Sequence, residues 1–111
     1  MTVLTINQGD TISLTVAVVS PAGAAVDLTG STLTFVVKRN PSDTTAVLTK
    51  TSPTGITIAA GTGGTATVNI APVDTEPGPT GVFVWEIEGT DSGGNITTLA
   101  GGSLLIVETL I

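Results

Sequence analysis

Glu86 and Glu88 come nearest, by type and spacing, to a pair of groups that could do chemistry in this 111-residue chain. They stand two residues apart in Gly81-Val82-Phe83-Val84-Trp85-Glu86-Ile87-Glu88-Gly89, and alternate residues of a strand share a face. Two carboxylates so placed could hold a cation, or serve as acid and base on a sugar. The competing reading is a solvated strand face, which the sequence favours because a lone pair on a flat face has no cleft to exclude water or move a pKa. The chain has no His and no Cys, so the usual nucleophile and base pairings of acyl transfer are absent, as are the usual zinc ligand sets. Asp91-Ser92-Gly93-Gly94-Asn95 puts oxygen ligands beside glycines but lacks the many acids and the closing Glu of a calcium loop. Gly61-Thr62-Gly63-Gly64 lacks the Lys and the following helix of a phosphate cradle. Both read as turns. The expectation is a protein that is not an enzyme, with no catalytic residue, no cofactor and no metal.

Charge narrows the partners further. The formal net charge is -6, with Lys38, Arg39 and Lys50 as the only cations. Nothing is left to neutralise a phosphate backbone, so nucleic acid is not an expected partner. The apolar runs are too short to span a bilayer, and Met1-Thr2-Val3-Leu4-Thr5-Ile6-Asn7 lacks the charged head and long apolar run of a secretory signal. No membrane partner is expected, and the chain should be soluble in the cytoplasm where it is made. The mean hydropathy is nevertheless positive, with charged residues only 11% of the chain. Either part of that apolar surface faces other subunits, or the exterior is simply rich in Thr and poor in charge.

The elements that must position these groups are strands. Val, Ile, Leu, Ala and Thr dominate, with 14 Gly and 6 Pro between short apolar runs, a pattern of strands joined by turns. Phe83, Trp85 and Ile87 share one face of the Gly81 to Gly89 strand, and Trp85, the one tryptophan, is the largest apolar group available to a core. Thr11 to Val19 alternates most clearly, with Ile12, Leu14, Val16 and Val18 on one face. Ser31 to Lys38 should turn Leu33, Phe35 and Val37 inward, with Phe35 as the partner of Trp85. Val3 to Ile6, Ala46 to Thr51, Gly55 to Ala59, Thr65 to Ile70 and Asn95 to Ala100 complete the candidates. Ser103 to Val107 closes the chain after a bulge or kink at Gly101-Gly102. Val26 or Leu28 should enter the end of the core, with Asp27 as a local backbone acceptor. One helical turn fits Val73-Asp74-Thr75-Glu76 before Pro77. The whole predicts one domain over 1–111, an all-β, immunoglobulin-like antiparallel β-sandwich of about seven to nine short strands, held by packing with no disulfide.

The order of motifs resembles a known family. Gly9-Asp10-Thr11 precedes an alternating strand, Val26-Asp27-Leu28-Thr29-Gly30 precedes Phe35-Val36-Val37-Lys38, and Asp74-Thr75 precedes the Trp85 strand. Asp91 to Gly94 and Gly102-Ser103-Leu104 follow. Together they resemble the immunoglobulin-like domain of tailed-phage virion proteins, such as the N-terminal domain of the phage baseplate upper protein. The resemblance implies a virion component made in the host cytoplasm, a homo-oligomer in the particle, that docks onto other capsid, tail or baseplate proteins and carries no catalytic residues. Baseplate members continue into long helical and receptor-facing regions, whereas this sequence stops as the sandwich closes, which points also to a small decorating protein. The expected contacts are strand edges, the loop carrying Arg39 and Asp43, the loop carrying Asp74 and Glu76, and the apolar end Leu110-Ile111. A weak glycan-binding adhesion module on the virion surface is the alternative.

Overall fold

The computed structural model describes residues 2–19, 22–24, 26–58, 64–76, 78–108 and 110. Its elements are β1 (Thr2–Asn7), β2 (Ile12–Ala17), β3 (Thr32–Lys38), β4 (Leu48–Thr51), β5 (Ile56–Ile58), β6 (Thr65–Ile70), α1 (Pro72–Thr75), β7 (Gly81–Thr90) and β8 (Ile96–Val107). The strands form two sheets, one ordered β1-β8-β7-β3-β4 and the other β2-β6-β5. This is an all-β sandwich of immunoglobulin-like strand order. The expected turns at Ser20-Pro21 and Gly61-Thr62-Gly63 lie outside the described residues, as do Ala59, Pro77 and Ile111.

Period-two alternation in the sequence becomes alternation in burial. On β7, Phe83, Trp85 and Ile87 are buried while Glu86 and Glu88 are exposed. On β3, Leu33, Phe35 and Val37 are wholly buried. Ala66, Val68 and Ile70 of β6 close the core from the opposite sheet. The Phe35 and Trp85 ring centroids lie 5.9 Å apart, tilted by 35°, within the range where aromatic pairs attract beyond their area. Leu28 is buried, and Asp27 Oδ1 accepts the Thr29 N–H, as its place in a tight bend suggests.

Two features depart from the simple pattern. The pairing of β1 with β8 is parallel, with Thr2 opposite Gly102 and Asn7 opposite Val107, whereas the other pairings are antiparallel. The chain crosses to the other sheet between β1 and β2, so these two cannot form a hairpin, and β1 takes the free edge of β8 instead. The bulge of the last strand is not at Gly101-Gly102. It falls at Leu99, because Ile87 pairs with Ala100 and Glu88 with Thr98. Leu99 leans over Gly89, where a Cβ would stand 2.8 Å from its Cδ1. The glycine pair instead stays in the ladder, with Gly102 opposite Trp85 and Gly101 opposite Glu86.

The Trp85 Nε1 proton is buried and has no acceptor among the described residues. Such an orphan costs roughly 1–3 kcal/mol, so the indole's net contribution is its packing less that penalty. Trp85→Ala should lower stability by roughly 3–5 kcal/mol. Trp85→Phe, which keeps a ring and discards the orphan N–H, should lose no more than about 1–2 kcal/mol. Urea denaturation of the three proteins, compared at equal m-values, measures both.

Candidate functional site

The outward face of the five-stranded sheet holds the carboxylates that the sequence singles out. Glu86 lies between Val36 on β3 and Gly101 on β8, and Glu88 between Thr34 and Thr98. Because Gly101 has no side chain, the face dips there into an open groove of about 560 Å³ that also meets Lys38, Pro41 and Val84. A Cβ at Gly101 would stand 3.1 Å from the Trp85 carbonyl oxygen, so the dip is built into the backbone packing. Both carboxylates are exposed, and among the described residues no ion pair reaches them and no set of three acids could hold a metal. The groove is open, and both carboxylates stand on it exposed to solvent.

The same face carries aliphatic groups beside polar ones, Thr34, Lys38 and Ser103 among them. Val82 pairs with Leu105, and Val84, Val36 and Val107 share their side of the sheet. Val82 is 63% exposed and Val107 38%. The chain's aromatic groups lie elsewhere: Phe35 and Phe83 are fully buried and Trp85 is 5% exposed. Among the described residues the surface therefore has no ring on which a sugar could stack.

The other expected contact residues are scattered. Arg39 lies with its guanidinium carbon 4.2 Å from the Phe83 ring centroid and donates to the Thr80 carbonyl. It covers the end of the core as a cation over an aromatic face. Asp43 folds its own loop, accepting the Asn40 N–H through Oδ2 while its N–H donates to the Asn40 carbonyl. Glu76 is exposed, with its carboxylate over Gly9. Leu110 is fully exposed, and Ile111 lies outside the described residues.

Asp74 belongs to a polar corner that locks 71–80 to the sandwich. Its Oδ2 accepts the Ala71 N–H at 2.7 Å and the Lys50 ammonium at 2.7 Å. Lys50 occupies an inward position of β4, and its stem crosses Gly55, where a Cβ would lie 2.7 Å from Lys50 Cδ. Gln8, also buried, donates through Nε2 to the Thr75 and Gly78 carbonyls, and the Gly9 N–H donates to Thr75 Oγ1. Sequence reasoning did not find Gln8, Thr75 or Lys50, whose partners are far away in the chain. An amide in a turn carries no local sign of a buried role.

The chain matches no family model, and no curated protein matches it significantly. Among the described residues, no helix is long and apolar enough to cross a membrane.

The carboxylates with shifted pKa values are Asp74 in this corner and Asp27 and Asp91 in exposed bends. Burial pushes the Asp74 carboxyl up, but the Lys50 and Ala71 hydrogen bonds and the Lys50 charge outweigh it and hold the pKa below its ordinary value. Hydrogen bonds from Thr29 lower Asp27, and those from Asn95, with help from Gly93 and Gly94, lower Asp91. A carboxyl whose folded pKa lies below its unfolded one stabilises the fold above the unfolded value, about 3.9, and loses that contribution as pH falls through the folded value. The protein should therefore lose stability as pH drops below about 4. Asp74→Asn should cost roughly 1–3 kcal/mol at neutral pH and show a shallower acid decline. Urea midpoints at neutral pH and at about pH 3 test both.

Proposed function

We infer that this chain is a non-enzymatic structural component of a tailed-phage virion, decorating the capsid or associated with the tail or baseplate, that works through protein-protein interfaces. The observation that carries this reading is the outward face of the five-stranded sheet. A set of aliphatic side chains, Val36, Val82, Val84, Leu105 and Val107, stands outside the core on the face that also carries Lys38, Glu86 and Glu88. Such a patch is suited to burial against another protein. The order of motifs that resembles virion immunoglobulin-like domains supports the same reading.

Docking through that face means that paired acidic substitutions on it should separate binding from folding. Val82→Glu combined with Val107→Glu, both at exposed positions, should leave thermal unfolding within a few degrees of the parent while the particle-bound fraction falls about tenfold. Removing Leu110 and Ile111 should weaken incorporation in the same way. The assay is quantification of the chain in phage particles purified from producing cells, with cryo-electron microscopy to place it. Particles that lack the chain altogether would sink the proposal.

A further inference from the structure

We propose that the open edge of β2 is a self-pairing edge, on which a second copy of this chain adds its own β2 antiparallel about a two-fold axis. The sheet β2-β6-β5 has only three strands against five in its partner. The N-terminal strand, which in the constant-type immunoglobulin arrangement lies beside this position, is committed here to the other sheet through β8. Among the described residues nothing pairs with the outer side of β2.

Which backbone groups are left open follows from two hydrogen bonds. The Val18 N–H donates to the Gly64 carbonyl, in line with the β2 and β6 register. The Asn69 N–H donates to the Gly55 carbonyl, so the odd-numbered residues of β6 point toward β5 and the even ones toward β2. Paired residues in an antiparallel ladder alternate between bonding inward and bonding outward. Ile12, Leu14 and Val16 therefore bond to β6, while Ser13, Thr15 and Ala17 direct their N–H and C=O groups to the open side.

The side chains of this edge are also incompletely covered. Ile12, Leu14 and Val16 face the core yet are only half-buried, whereas their partners Ile70, Val68 and Ala66 are 1%, 0% and 1% exposed. The difference is the flank that an added strand would cover. Proteins normally protect such an edge with a Lys, a Pro or an inward charge, and Ile12–Ala17 has none of these.

A second copy fits this edge. With Leu14 on the two-fold axis, Ile12 meets Val16 and Ser13 meets Thr15, so apolar side chains pair with apolar ones and the outward-bonding residues pair with each other. Asp10, the nearest acid, then falls at opposite ends of the ladder in the two copies. The two carboxylates would be about 26 Å apart along the strands, beyond the screening length of about 8 Å at physiological salt. A single ladder of this length is small beside a standard interface of roughly 1,600 Å². The contact is therefore weak for one pair and gains from the high local concentration of copies in an assembly.

This deepens the assembly reading by naming one contact and its partner, and its test needs no particle. Sedimentation of the full chain from about 10 µM to about 500 µM should show a monomer giving way to a dimer. Over that range, amide exchange at Ser13, Thr15 and Ala17 should slow about tenfold, while Ile12, Leu14 and Val16 stay protected throughout. Thr15→Lys places like charges together across the axis, and Ser13→Pro removes one outward N–H without touching the β6 ladder. Both should abolish the dimer and leave the unfolding midpoint of the dilute monomer nearly unchanged. Thr67→Lys, on the central strand, should keep the dimer. A monomer at the highest concentration would overturn the proposal, as would a dimer indifferent to Thr15→Lys or one in which those three amides exchange unchanged. A strand taken from another protein in place of a second copy would also overturn it. Any of these results would leave the particle-docking face of the five-stranded sheet standing.

Discussion

The contact between the Trp85 indole and the Phe35 ring, 5.9 Å apart at the centre of the core, is the interaction on which the rest of the sandwich depends. A domain of this size without cysteine has no covalent tie between its layers, so the layers are held by the apolar area that they bury. That requirement reaches outward from the ring. Gly102 lies opposite Trp85 in the neighbouring strand, and Gly101 beside it leaves the dip on the outer face. A feature of the exterior thus follows from how the interior is filled. Among the described residues the buried indole N–H has no acceptor, so at this position packing carries the contribution.

The strands were legible because each is a local pattern. Leu33, Phe35, Val37, Phe83, Trp85 and Ile87 could be assigned to the core by counting in twos, and all are buried. Even the short helical turn was marked by its prolines and acids, although it runs over Pro72–Thr75, one residue earlier than expected. What could not be read depends on residues distant in the chain. The parallel seat of β1, the bulge at Leu99, the Lys50 and Asp74 ion pair and the Gln8 contacts join segments whose proximity is set by topology. Arg39 shows the difference well. In the sequence it reads as part of a contact loop, but the fold brings Phe83 and the Thr80 carbonyl to it.

The site residues divide along the same line. Groups chosen for charge, Arg39, Asp43 and Asp74, make bonds that order loops and corners within the chain. The surface away from these bonds includes the outer face of one sheet, where aliphatic groups stand beside Lys38, Glu86 and Glu88, and the open edge of the other.

The parallel ladder between β1 and β8 has a mechanical consequence. Thr2 and Val107 lie at opposite ends of the paired segment, so tension applied through the two termini pulls the strands lengthwise past each other. Hydrogen bonds loaded in that direction share the force and must break together, whereas a hairpin pulled from its open end unzips one bond at a time. The chain held by both ends would thus resist stretching through β1 and β8, before any strain reached the core.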